Sequence, residues 1–362
     1  MVARRTALAV SVAAVIAASI AVEACSSFSS ADADPVAEAG LDGAPADAPI
    51  VTVEDALAPD GNDATPAIDA DILATGFTDL TGIAASETKV YFLAHSDGVI
   101  HEVPLGGGTP APFHKDPQAT SPSSVVVTNN VLLWSDRGKK LLGQKNVGAG
   151  PADVQPVSGG FQPVALTTGR LSGGEHRLVV LTRDPAGSSG TVQYYDYLTL
   201  SLLTSTGASF SNLFDVAVFG DQVWWTEGSG GKIWEGRLET SNADARVSGE
   251  QGCESIAADS KGVYWTRQDD GLVRMMVPPA PTVTSLAMVE TKPFSVAADE
   301  SGVYWLTRDG KLRRSTREEL PPQTISKGFD AAFVDDRVKA IALTSQFVVW
   351  ITNDGKVLRH AK

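Results

Sequence analysis

An Ile or Val followed nine residues later by an aromatic residue recurs six times in this chain, about every 40 residues. The pairs are Ile83 and Phe92, Val125 and Trp134, Val216 and Trp225, Ile256 and Trp265, Val296 and Trp305, and Ile341 and Trp350. A seventh, degenerate copy, Val164 then Leu181, fills the gap between the second and third and carries an eight-residue insertion around Gly169 to Arg177. A fixed period of this size marks a repeat architecture, because one such unit cannot bury its apolar surface alone and must stack on its neighbours.

The fifth repeat shows what the unit is. Ser255 to Asp259, Gly262 to Thr266, Gly271 to Met275 and Ser285 to Val289 read as four short strands. Val263, Tyr264 and Trp265 are consecutive and must point to alternate sides of a strand, so both faces of the sheet are buried. Blades packed face to face around an axis provide that environment. The glycines of Asp97-Gly98, Asp270-Gly271, Asp309-Gly310 and Asp354-Gly355 follow the aromatic anchors by five or six residues, where a tight hairpin needs a positive φ; Gly138 and Gly231 occupy nearby positions. The last repeat stops after its third strand, whereas Asp71 to Thr75 precedes the first repeat and reads as an orphan fourth strand. Pairing the two closes a ring and hides both terminal edges. The expected fold is thus all-β, a seven-bladed β-propeller over residues 71 to 362, with six blades as the alternative if the third repeat is irregular.

Ahead of that domain lie Arg4, Arg5 and an apolar run from Ala7 to Val22, which fit a secretory signal over residues 1 to 24 better than a spanning helix of about 20 residues. The segment from Ser26 to about Ala70 is rich in Ala, Asp, Pro, Ser and Gly, and no Lys or Arg occurs between Arg5 and Lys89. It reads as a disordered acidic tether. The whole chain has a net charge of −14, but residues 71 to 362 hold 32 acidic residues against 27 Lys and Arg, a net charge of −5. The acidity therefore belongs largely to the tether. Nucleic acid is not an expected partner, since no basic stripe accompanies this balance.

Val22-Glu23-Ala24-Cys25 resembles the lipobox of bacterial lipoproteins, with Glu23 where a small residue is usual. The resemblance implies lipidation of Cys25, a membrane link through that anchor only and, with Ser26 following, an outer-membrane address. Cys253 is then alone and no intrachain disulfide can form; it reads as a small residue packed between blades. Val263-Tyr264-Trp265-Thr266, Val303-Tyr304-Trp305, Leu133-Trp134-Ser135-Asp136 and Trp224-Trp225-Thr226-Glu227 resemble the Tyr-Trp-Thr-Asp repeats of low-density lipoprotein receptor propellers and the related NHL-like and TolB-like propellers. Receptor propellers of that kind usually have six blades, and what the resemblance implies is a rigid extracytoplasmic binding platform. Asp221 to Glu227, Lys232-Ile233 and Arg237 also look like a blade of the streptogramin (virginiamycin B) lyases, similar seven-bladed propellers. Those enzymes use His and Glu of later blades, and after the fourth repeat the only His of this chain is His360.

No Gly-rich phosphate loop, helical His pair or Gly-x-Ser-x-Gly elbow is present, and no cofactor or metal is expected. His95 and His101, on the second and third strands of the first blade, read as surface or hydrogen-bonded histidines. Lys139-Lys140 and Arg313-Arg314 read as solvated loop charges. Propeller geometry directs a ligand to the channel mouth, just ahead of each inner strand, where Thr81, Ser123, Gln162, Phe214, Glu254, Phe294 and Lys339 stand. That mixture of polar groups, two aromatics and one charge of each sign suits recognition better than a metal cage. The expectation is a monomeric binding or scaffolding module for an envelope protein or glycan; the alternative is a propeller enzyme, a lyase, hydrolase or quinoprotein-like dehydrogenase, acting at the same mouth.

Overall fold

Twenty-eight strands of the described residues form seven four-stranded antiparallel sheets, each a blade. The structure, a computed structural model, describes residues 70–115, 122–148, 150–187, 189–318, 321–333 and 338–362. The signal segment, Cys25 and the acidic tether lie outside the described residues. Blades 1 to 6 each take four consecutive strands, beginning with inner strands Leu80–Ala85, Pro122–Thr128, Gln162–Arg170, Leu213–Phe219, Cys253–Asp259 and Pro293–Asp299. The seventh joins Ile341–Leu343, Phe347–Ile351 and Val357–Ala361 to Asp71–Ala74, which pairs antiparallel with Val357–Ala361. The ring therefore closes as expected, and the blade number is seven. In the fifth blade the outer strand is Val283–Ala287, two residues earlier than its Leu and Met pattern suggests. Met288 and Val289 fall in the turn and are exposed, Val289 at a φ of 66°.

Consecutive side chains of each second strand go to different blades, which is why both must be apolar. Trp265 packs with Ala217, Trp224 and Ile233 of blade 4, whereas Tyr264 packs with Val296, Val303 and Trp305 of blade 6. Trp225 likewise joins Leu181 and Tyr194 of blade 3, and Trp224 turns towards blade 5. Phe92, Trp225, Trp265, Trp305 and Trp350 are wholly buried, and the aromatic anchor is the main interblade wedge.

Four of the anchors are also clasped by side chains from the segment leading into the blade and from the blade's third strand, a feature the pattern of apolar residues did not reveal. In blade 4 Phe210 and Trp234 flank Trp225, the two indoles stacked at 6.4 Å. In blade 1 Phe77 and His101 flank Phe92, His101 stacking at 5.3 Å. Blade 5 replaces that apolar sandwich with ions: the buried Glu250 carboxylate accepts from Trp265 Nε1 at 2.9 Å and lies 3.5 Å from Arg267 and 3.4 Å from Arg274. Blade 6 repeats the ionic form with Glu290 and Arg313 at 3.3 Å. Arg313 is buried on a strand, and Arg314 donates to the Ser301 carbonyl at 3.0 Å. That pair is structural, contrary to its reading as solvated loop charge, because the third strand faces inward at Arg313.

The recurrent turn glycines do adopt positive φ: 65° at Gly98, 57° at Gly231, 64° at Gly271, 74° at Gly310 and 77° at Gly355. In blade 2 the corresponding role falls to Lys140, at 58°, and not to Gly138. A Cβ at Gly355 would stand 1.6 Å from the Phe77 carbonyl oxygen, where the segment after the closing strand donates Phe77 N–H to Gly355 O at 3.3 Å. Gly355→Ala combines that clash with a left-handed backbone costing about 1–2 kcal/mol for an L-residue. Its thermal midpoint should fall clearly, while Gly148→Ala, with open space around it, should leave the melt unchanged.

The insertion in the third repeat lengthens one hairpin. Its strands, Gln162–Arg170 and His176–Arg183, have nine and eight residues and extend at the end where the other inner strands stop. The expected pair Val164 and Leu181 does not form: Leu181 pairs with Ala165, and Leu166 with Val180 takes the place that Val125 with Trp134 has in blade 2.

Candidate functional site

Six of the seven inner strands enter their blades through a register shift, and these shifts set the chemistry of the channel mouth. The pairing is interrupted between Leu80 and Gly82, Pro122 and Ser124, Pro163 and Ala165, Leu213 and Val216, Cys253 and Ile256, and Pro293 and Ser295. A bulge re-aims side chains and strands a backbone N–H. The Thr that follows the anchor resolves this: Thr226 Oγ1 accepts Asp215 N–H at 3.1 Å, and Thr266 Oγ1 accepts Ser255 N–H at 3.2 Å. Thr226 Oγ1 also donates to the Glu254 carbonyl of the next blade at 2.9 Å.

The freed side chains then link blade to blade. Asp215 Oδ2 accepts from Ser255 Oγ at 2.9 Å and from Ile256 N–H at 3.1 Å, while Oδ1 accepts Val216 N–H at 2.8 Å. Ser255 Oγ accepts Val296 N–H at 3.2 Å, and Ser295 Oγ accepts Ala340 N–H at 3.2 Å. Thr81 Oγ1 donates to the Pro122 carbonyl at 2.9 Å, and Ser123 meets Ser135 at 3.0 Å. Lys339 bridges to Gly82 in parallel and sends its ammonium to 3.6 Å from Asp215 Oδ1. Asp215 and Ser255, one residue beyond the expected ring, are the hubs of this belt. The sequence carries no signal for them, because the bulge that shifts the inward-facing polar position by one is a property of the backbone.

The seven expected residues consequently divide. Phe214, Glu254, Phe294 and Lys339 come together with Asp215, Ser255, Ser124, Val164 and Val338 around a cavity of about 20 Å³. Phe294, however, is only 1% exposed and lies under Arg308, whose guanidinium stands 4.3 Å from the ring centre. It is a core residue and offers no aromatic platform. Thr81 and Ser123 line no part of this cavity and spend their hydroxyls on the belt. Gln162 pairs with Arg183 at the start of its strand and leaves the lining to Val164 and Ala165, since Val164 stands two residues ahead of Leu166 as Phe214 stands ahead of Val216. Phe214 rests against Gly228, where a Cβ would meet the ring at 2.3 Å. Glu254 Oε1 accepts from Gln268 Nε2 at 3.2 Å.

Below the mouth the inner strands of all seven blades enclose a channel of about 260 Å³. Among its lining residues Lys339 alone carries a charge, and Thr167 is the only other polar side chain. Elsewhere, Cys253 is wholly buried with Sγ 3.7 Å from the Glu227 carbonyl, and burial pushes its thiol up to about 12, which makes it an interblade packing group. His95 stands in the turn after its strand, not on it, and His101 faces Asp97 at 3.5 Å. Among the described residues no three His, Cys, Asp or Glu side chains gather as a metal site, and no helix is long and apolar enough to cross a membrane.

No protein-family model matches the sequence, and no curated relative matches it either. Solved structures do resemble it. Virginiamycin B lyase from Staphylococcus aureus superposes with a TM-score of 0.64 at 11% identity, over 81% of this chain and 98% of that one. A streptogramin B lyase gives 0.62 at 13% identity over 81% and 97%. The WD40 propeller domain of Doa1 gives 0.61 at 12% identity over 81% and 97%. At such identities the likeness shows the propeller fold alone, and it extends to enzymes and to WD40 propellers equally.

Proposed function

We propose that the protein is a lipoprotein of the bacterial envelope, anchored through Cys25, whose propeller serves as a binding module for an envelope protein or glycan across the channel mouth. The observation that carries this reading is the size of the mouth cavity. At about 20 Å³ it has room for a single water. Phe214, Glu254 and Lys339, drawn from three blades, thus form the floor of a shallow surface suited to a macromolecule and not a pocket that engulfs a substrate.

The lyase-like alternative draws support from the fold of its neighbours, but no His lines this mouth, and Glu254 and Lys339 would have to carry any proton transfer. Palmitate labelling of wild type and Cys25→Ser tests the anchor; label on the variant rejects it. For the module, residues 69–362 are incubated with envelope extract and the retained species identified by mass spectrometry. One saturable partner is expected, lost with Phe214→Ala and Glu254→Gln while the melting temperature holds. No retained macromolecule, together with turnover of virginiamycin B, would favour the enzyme.

A further inference from the structure

The channel below the mouth is not used by the partner reading, and its lining has a chemistry of its own. At the middle level five of the seven inner strands present Ala: Ala84, Ala217, Ala257, Ala297 and Ala342. The small side chains keep the bore open; Val126 and Thr167 complete that level, and the lining above and below it is aliphatic apart from Lys339. Each inner strand ends its sheet, so its outer backbone edge is unpaired and turns to the axis. At about 260 Å³ the bore holds roughly nine waters at the ~30 Å³ each occupies in the liquid.

Lys339 lines both the bore and the mouth cavity and so stands between them. Its side chain is 29% exposed, and its one ionic neighbour is Asp215, at 3.6 Å. That carboxylate already accepts from Val216 N–H, Ser255 Oγ and Ile256 N–H. Among the described residues the Lys339 ammonium makes no hydrogen bond, so its three donors are unspent at the end of an aliphatic bore. A hydrated ammonium there attracts an anion, and the walls favour an anion with an alkyl body.

We propose that the bore binds a medium-chain monocarboxylate, with the carboxylate on Lys339 and the chain lying along the Ala level. The two sites share Lys339, but Ala297 lines only the bore and Phe214 only the mouth, so Ala297→Leu and Phe214→Ala let either reading fail without the other.

The test uses the full chain carrying Cys25→Ser, which dispenses with detergent, titrated with octanoate by calorimetry and with octylammonium as the charge-reversed probe. Octanoate should bind saturably at one site, and octylammonium should not. Lys339→Met should weaken octanoate about tenfold or more, the loss of one charge-assisted contact, while Lys339→Arg should retain most of it. Ala297→Leu fills the bore and should abolish binding while the far-ultraviolet spectrum stays that of wild type. Absence of saturable octanoate binding, equal binding of octylammonium, or unchanged affinity in Lys339→Met would overturn the proposal; if Lys339→Met does not fold, Ala297→Leu and the two probes decide it alone.

Discussion

Trp265→Ala should lower the stability of the propeller by about 3–5 kcal/mol, the range for truncating a large buried aromatic. Two losses combine. The indole is wholly buried between blades 4 and 5, and its Nε1 donates to Glu250, a carboxylate only 4% exposed. Truncation leaves a cavity and removes a donor from that buried ion, whose other partners, Arg267 and Arg274, stand at 3.5 and 3.4 Å. Trp265→Phe restores most of the volume but not the donor, so it should cost about 1–3 kcal/mol. Thermal melts of the three proteins read the difference. Equal midpoints for the Phe and Ala variants would mean that the clasp, and not the wedge, carries the effect.

Removing residues 1–75 should have the second large effect, because it takes away the closing strand Asp71–Ala74. Leu73 and Ala74 are buried, and Asp71 holds Arg359 at 2.9 and 3.0 Å. Without them the strand Val357–Ala361 becomes an open edge at the end of a three-stranded blade. Exposed edges template pairing with other chains. The truncated protein should melt early and elute as oligomers, whereas a chain lacking only residues 1–68 should remain monomeric with the native midpoint. A truncated monomer with an unchanged melt would show that closure contributes little.

Much of this architecture was legible because the anchors obey a rule that sequence displays directly: an aromatic beside a second apolar residue requires two apolar neighbours. Tyr264 and Trp265, facing blades 6 and 4, satisfy it. The closing strand was legible from arithmetic alone, since three strands at one end and one at the other complete a blade. The mouth was harder to read. Counting from the anchor located Phe214, Glu254 and Lys339, but a bulge moves the inward-facing polar group to Asp215 and Ser255, and only coordinates show where it turns. Gln162 was misplaced because the third repeat has no aromatic anchor: its pair is Leu166 and Val180, not Val164 and Leu181, which puts Val164 at the mouth two residues further on. Phe294 was misjudged because its cover, Arg308, comes from a different segment. Glu250 and Glu290 could have been found: each precedes its Trp by fifteen residues, a spacing visible once charged residues are admitted to the repeat.

The closing strand also dictates an order of events. Asp71 and Arg359, 288 residues apart, are hydrogen-bonded neighbours in one sheet. A contact of that sequence separation must be made late, since rates fall as contacts become less local. During synthesis six blades can assemble while the seventh waits, and the segment at Asp71 stays unpaired until the strand at Arg359 arrives. The ring has no native state with its final strand withheld, so the fold cannot be completed before the chain as far as Ala361 is available to pair.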